Sequence, residues 1–123
     1  MVAGAEPLSV RAGARLALLL VVLAGCAPAS LYRWGHYEQL VYEMYTAPGK
    51  ADPGVQVEKL TRDVAEAAAH GQRVPPGVHL HLGYMYFLEG NPAAARAALE
   101  TEKQLFPEST VFVDRLLVQM EAR

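Results

Sequence analysis

The chain has 123 residues, a net charge of −2 and a single cysteine, so it is long enough for one small domain and cannot form an internal disulfide. Its 11 basic residues form no basic stripe beside the 13 acidic ones, which disfavours binding to nucleic acid. We recognise no nucleophile elbow, metal-ligand set or phosphate-binding loop, and therefore predict a protein without enzymatic activity or a cofactor.

The N-terminal stretch has the organisation of an export signal. Two arginines precede an apolar run at 16–23. That run is far shorter than the roughly 20 residues needed to span a bilayer. The run ends in the sequence Leu-Ala-Gly-Cys at 23–26, which resembles the lipobox of bacterial lipoproteins. The resemblance implies cleavage between Gly25 and Cys26, lipidation of the Cys26 thiol and removal of a signal peptide at 1–25.

The short tether at 26–30 would hold the following domain close to a membrane, because five extended residues reach only about 15–18 Å. Position 27 is alanine rather than aspartate, which by resemblance to Gram-negative lipoproteins favours the periplasmic face of the outer membrane. Two alternatives stay open. The apolar run could be an uncleaved helix, or an ordinary signal peptide followed by an incidental cysteine.

The remainder of the chain, 31–123, is predicted to form an all-α domain of antiparallel helical hairpins. No stretch alternates with a period of two for long enough to form a convincing strand. Proline and glycine separate the helical stretches, and Asp52, Asn91 and Ser109 are the predicted N-terminal caps. Five helices are expected, at about 36–46, 53–70, 77–89, 92–105 and from 110 onwards.

Aromatic and apolar residues of the first helix should form its buried stripe, with Leu40 and Tyr45 beside it. An alternative is that the same aromatic residues contact the membrane interface. The second helix should bury Val57, Leu60, Val64 and Ala67 or Ala68. The predicted stripe of the first helix comprises Trp34, Tyr37, Val41 and Met44.

Most ionisable residues are predicted to be solvated. His79 and His81 are two apart on a helix, a spacing that does not suit a shared metal, and His36 and His70 are isolated. Glu100 and Glu102 should face water or pair with a neighbouring cation, either Lys103 or Arg96. The expected outward face of the second helix comprises Glu58, Lys59, Arg62, Asp63 and Glu66.

Residues 76–109 span 34 positions, the period of a tetratricopeptide repeat. In that register, small residues fall where two helices touch and larger ones where they fill the gap between the helices, although His79 replaces the usual tryptophan. A generic helical hairpin is the alternative. The preceding helix pair is only hairpin-like, and the fifth helix would be a solvating cap. The repeat-defining residues are Leu82, Gly83, Tyr86, Gly90, Ala95, Leu99 and Pro107.

A wider resemblance covers nearly all of the chain after the signal. Its motifs include Trp34-Gly35-x-Tyr37-Glu38, Pro75-Pro76-Gly77, Leu82-Gly83 and Phe106-Pro107-Glu108-Ser109. As a set they resemble a family of small bacterial lipoproteins, domain of unknown function 4810. The resemblance implies no established activity. It implies an envelope lipoprotein, often encoded beside a lipoprotein resembling the curli secretion channel.

The repeat register predicts a partner-binding face on the helix that follows Pro76. Its contact positions are apolar or aromatic and lack the cations that clamp a terminal carboxylate, so the expected partner is an apolar helix or strand. This predicts a protein-interaction module, an accessory subunit that binds other envelope lipoproteins. Two alternatives remain: neighbouring helices cover the face, or Trp34 and the tyrosines line a pocket that carries a lipid or cell-wall fragment. The predicted face comprises Gly77, Leu80, Tyr84, Phe87 and Leu88.

Overall fold

A computed structural model describes residues 13, 15, 17 and 30–122. The chain divides into two compact units, Met1–Ser30 and Leu31–Arg123. The predicted cleavage and lipidation residues, Gly25 and Cys26, lie outside the described residues. Within the described part, none of the helices is both long enough and apolar enough to cross a membrane.

The unit that begins at Leu31 is built from α-helices, which confirms the predicted all-α class. In the described part of this unit the β pairing consists of an isolated bridge between Tyr32 and Arg73. Short 3₁₀ turns at Pro48–Lys50 and Pro107–Ser109 precede the second and fifth helices. The helices are α1 (Tyr37–Thr46), α2 (Pro53–Ala69), α3 (Val78–Leu88), α4 (Pro92–Leu105) and α5 (Thr110–Glu121).

Local residue chemistry sets most helix ends. The Asp52 side chain accepts a hydrogen bond from the N–H of Val55 at the start of α2, and Asn91 accepts one from the N–H of Ala94 at the start of α4. The prediction for Ser109 was wrong. Ser109 ends the 3₁₀ turn Pro107–Ser109, and its hydroxyl donates a hydrogen bond back to the carbonyl of Phe106, 2.7 Å away. Its side chain therefore accepts no hydrogen bond from the first turn of α5.

The hydrophobic core has two parts, which lie on opposite sides of the α3–α4 hairpin. One contains some of the buried apolar side chains of α1, α2 and α3 together with Val74 and Ala98, and the other joins α4 to α5 through Leu99, Val113 and Leu117. The α1–α2 pair therefore packs on the hairpin through the first part of the core, and α5 packs on it through the second. The residues of the first part are Leu40, Leu60, Ala67, Val74, Val78, Leu82 and Ala98.

The predicted stripe of α1 is only partly correct: Tyr37, Val41 and Met44 are half-buried, and Tyr37 packs against the core. Leu40 is the buried residue of this helix, whereas Trp34 and Tyr45 are exposed. Trp34 instead stacks on Tyr37, with ring centroids 6.4 Å apart. On α2, Ala67 is buried and Ala68 is exposed.

Asp63 was predicted to face water and is buried. Its carboxylate accepts the backbone N–H of His36 at 2.7 Å and lies 2.9 Å from Nδ1 of the same histidine. Gly35, with φ +52°, leads the chain past this carboxylate, where a Cβ atom would collide with it. His36 is therefore not isolated, and Asp63 fastens the entry of α1 to α2.

Candidate functional site

Helix α3 carries the predicted partner-binding face and has no Asp, Glu, Lys or Arg in its eleven residues. Val78 and Leu82 belong to the first part of the core, and the half-buried Leu80 packs against the second. Tyr84 and Leu88 remain 36% and 48% exposed. An uncharged helix that keeps aromatic and aliphatic side chains in contact with water leaves apolar surface to bury against a partner.

A groove runs along α3 between α1 and α5. Its volume is about 260 Å³. Tyr45, which is 82% exposed, stands on the α1 wall, and Phe112 stands on the α5 wall. Each helix forms one side of the groove without covering the whole predicted face: Leu80 is half-buried against the α4–α5 part of the core, whereas Tyr84 stays exposed. The lining residues are Val41, Met44, Tyr45, Leu80, His81, Tyr84, Phe112 and Leu116.

The structure brings some of the predicted face residues together and separates others. Leu80 and Tyr84 line the groove. Phe87 lies with Tyr84 in an adjoining depression of about 170 Å³. Leu88 is exposed but does not line either cavity, and Gly77 lies at the start of α3 beneath the hydroxyl of Tyr37.

Sequence reasoning missed the groove residues contributed by the other two helices. The sequence pattern predicts Met44 and Tyr45 of α1 in a core stripe or at its edge, and it assigns no role to Phe112 and Leu116 of α5. A signal was present, because a repeat places the first helix of each successive hairpin on one surface. Applying that register to α1 and α5 as well as to α3 would have selected all three walls.

The groove bears no formal charge among its lining side chains. His81, the sole ionisable imidazole there, is buried, and its Nε2 lies 2.7 Å from Oε1 of Gln56. Burial lowers the pKa of His81, which keeps its ring neutral at pH 7. The groove therefore offers apolar contact and tyrosine hydroxyl groups, and no charged side chain.

The two helices of the hairpin that carries the groove approach closely at Gly83. A Cβ atom there would lie 2.8 Å from Cγ of Leu99 and 3.0 Å from the carbonyl oxygen of Ala95. Leu82 and Tyr86 turn to the α1–α2 side of the hairpin, whereas Leu99 turns towards α5. Gly90 has φ +75° and allows the short turn into α4.

Glu102 of α4 fixes the first turn of α3. It is 1% exposed, and its carboxylate accepts the N–H of Gly77 at 2.7 Å and that of Leu80 at 3.3 Å. The prediction that Glu102 faces water was therefore wrong. It caps a helix whose own N-cap residue, Gly77, has no side chain.

Burial raises the pKa of Glu102, although its hydrogen bonds from backbone N–H groups act in the opposite direction. Burial also raises the pKa of the nearby Tyr37, and the charge of Glu102 adds to that effect. The two cations predicted to pair with Glu102 have other partners. Lys103 bonds to Asp114 at 2.7 Å, and Arg96 pairs with Glu121.

The ionisable side chains within 30–122 do not form a metal site. Within that range there is no group of three His, Cys, Asp or Glu side chains placed to share an ion. His79 is partly buried and its pKa is lowered by burial, while His81 is already bonded to Gln56.

Comparison with known proteins adds a family and no activity. No curated protein and no solved structure shows a significant match to the chain. A family model matches residues 31–116, which cover most of the chain and include all three walls of the groove. The chain therefore belongs to the family described as a domain of unknown function, DUF4810.

Proposed function

We propose that this protein is a lipid-anchored, non-enzymatic interaction module of the bacterial cell envelope, and that its α3 groove binds an apolar segment of a partner protein. The observation that carries the proposal is the groove itself, open between α1 and α5 and lined without a charged side chain. A peptide laid along it would bury its apolar face against Tyr84 while its polar face stays in water.

The arrangement of the helices also supports a tetratricopeptide-like repeat. The three walls of the groove come from α1, α3 and α5, which are the first helices of successive hairpins in the proposed register. The close approach of α3 and α4 at Gly83 is the contact such a register requires. With so few units the concave surface is short, and it suits one peptide segment better than a long chain.

An amphipathic helix is the best-fitting occupant. Tyr45, Tyr84 and Phe112 provide aromatic contact on all three walls, and Met44 provides an adaptable side chain between them. A helix that carries apolar residues at i, i+3, i+4 and i+7 would present matching side chains. We expect this partner among the envelope lipoproteins that form an assembly or secretion-channel-like complex, where this chain would be an accessory subunit.

The carrier hypothesis receives less support from the geometry. It needs Trp34 and the tyrosines around one pocket, but Trp34 stacks on Tyr37 and does not line the groove. A groove open along its length also leaves a small ligand in contact with water, whereas ligand sites bury most of their ligand's surface.

Site-specific photo-crosslinking tests the groove. The full chain would be expressed in bacteria with p-benzoylphenylalanine at Tyr84, and with the same group at Tyr42 as the matched control, since Tyr42 is exposed on α1 and does not line the groove. We expect one reproducible adduct from position 84 whose crosslinked peptide is an apolar segment. Adducts of equal yield at both positions would contradict the proposal.

A second step separates binding from proximity. Replacing the exposed aromatic rings in Tyr45→Ala plus Tyr84→Ala should abolish recovery of that partner, while Tyr42→Ala should leave it unchanged.

The lipid anchor is tested separately. The intact mass of membrane-extracted protein should show a chain that starts at Cys26 with added acyl mass, and Cys26→Ala should lack it; an unprocessed mass would refute the lipoprotein assignment.

A further inference from the structure

Helix α5 has an outward face that neither the core nor the groove uses. Val113 and Leu117 point into the core, and Phe112 and Leu116 border the groove. The remaining stripe, which we call the outer stripe, follows the i, i+3, i+4, i+7 spacing of one helical face. It comprises Val111, Asp114, Arg115 and Val118.

The outer stripe is exposed apolar surface with charge at its centre. Val111 and Val118 are 65% and 66% exposed. Asp114 contacts Lys103 through one oxygen, Oδ1, at 2.7 Å, while Arg115 makes no ion pair with any residue of the described range. A shallow depression of about 370 Å³ lies at the C-terminal half of the stripe and is bordered by Asp114, Arg115, Val118 and the neighbouring Gln119.

The order of these residues makes the stripe complementary to itself. A two-fold axis halfway between Asp114 and Arg115 would place a second α5 antiparallel to the first. Val111 of each copy would then face Val118 of the other, and Asp114 would face Arg115. Apolar contacts at both ends and two opposite-charge pairs at the centre satisfy every member of the stripe, which is the condition for a closed, isologous interface.

We propose that the outer stripe is a self-association surface whose occupant is α5 of a second copy of this chain. An unrelated partner would need its own acid and base in reversed order at the same spacing, whereas a second copy supplies both by symmetry. The contact spans only one helix, so it is a small interface. Confinement of both copies to one membrane, which rests on the proposed anchor, would raise their effective concentration.

Cysteine pairing in membranes distinguishes this arrangement from others. Full chains carrying Val111→Cys and Val118→Cys, each with a different epitope tag, would be co-expressed and mildly oxidised. We expect at least ten-fold more disulfide-linked mixed dimer than homodimer of either variant. Two copies of position 111 would lie about 10 Å apart along the axis, beyond the reach of a disulfide. The chain with Cys26 as its sole cysteine gives the background.

Charge reversal tests the centre of the stripe. In the paired-cysteine background, Arg115→Asp would set two carboxylates opposite each other and should lower mixed-dimer yield about ten-fold. Adding Asp114→Arg to Arg115→Asp should restore it, which loss of folding could not do. Gln104→Glu, an exposed change on α4, should leave the yield unchanged. A mixed dimer at background level, preferential homodimers at position 111, or failure of the double reversal to restore pairing would overturn the proposal, even where groove binding persists.

Discussion

Replacing Glu102 by alanine is the sharpest test of how the groove-bearing helix is held in place. The carboxylate reaches from α4 to the first turn of α3 and accepts hydrogen bonds from Gly77 and Leu80. Gly77 cannot replace it, because a glycine N-cap offers no side-chain oxygen. Glu102→Ala therefore removes the acceptor for two backbone N–H groups at once.

The expected loss is about 2–3 kcal/mol in the free energy of unfolding. Each buried N–H that loses its partner costs about 1–3 kcal/mol, and the lost methylene adds about 0.8 kcal/mol. Two effects offset part of that sum: water can reach the start of α3 once the carboxylate is gone, and a buried charge no longer has to be maintained. The net loss is a large share of the roughly 5–14 kcal/mol expected for a domain of this size.

Urea unfolding of residues 27–123, followed by far-UV circular dichroism, would measure the difference. Glu102→Gln keeps the size but only one acceptor oxygen, so one of the two backbone N–H groups loses its partner and we expect an intermediate loss of about 1–2 kcal/mol. Glu100→Ala is the matched control, since Glu100 is partly exposed and only pairs with Lys103 at 3.4 Å, and it should cost less than about 0.5 kcal/mol. A Glu102→Ala variant as stable as the control would refute the capping role.

The same residue predicts a pH effect of definite sign. Because the folded pKa of Glu102 lies above its usual 4.5, the folded state binds its proton more tightly than the unfolded state does. The stability that this group contributes is complete below pH 4.5 and is lost as the pH rises through the folded pKa. The stability of wild type relative to Glu102→Gln should therefore fall over that window. A constant difference, or one that grows with pH, would contradict the direction of the shift.

Three further predictions concern packing and titration. Gly83→Ala should lower the free energy of unfolding by about 1–2 kcal/mol, since the clash with Leu99 exceeds the gain in helix propensity; stabilisation in a urea titration would contradict this. Asp63→Asn should cost about 1–2 kcal/mol and be strongly non-additive with His36→Ala in a double-mutant cycle. Burial lowers the pKa of His81 below 6.5, so its contribution to stability is complete above pH 6.5 and is lost as the pH falls through the folded pKa. The difference in stability from His81→Gln should show that loss, and an NMR titration of His81 should show the lowered pKa.

Helix positions could be predicted from the sequence because their signals are local. A proline fixes φ and cannot continue a helix from its predecessor, and a side-chain cap satisfies N–H groups only three residues away. Asp52-Pro53 and Asn91-Pro92 combine both signals, and the two helices begin at those prolines. Gly90 similarly adopts positive φ at the end of α3, as a helix-terminating glycine does.

The buried acids could not be predicted, because their partners lie far away in the sequence. Asp63 meets His36 across 27 residues, and Glu102 meets Gly77 across 25. Helical periodicity alone places an acidic residue of a charged stretch on the solvent-exposed face. The pattern fails where a backbone N–H at the start of another helix has no local acceptor, as at Gly77. A distant carboxylate then supplies the acceptor, and its position is known only once the helices are packed.

The two proposed surfaces can act together because they occupy different sides of α5. Phe112 and Leu116 face the groove, whereas Val111 and Val118 face outwards on the opposite side of the buried residues. A two-fold pair through the outer stripe would therefore leave both grooves open, and one assembly would hold two partner segments. If instead the groove proposal holds and self-association fails, partner binding should show no dependence on Arg115. Partner binding by Arg115→Asp thus distinguishes a dimer that holds two partner segments from a monomer that holds one.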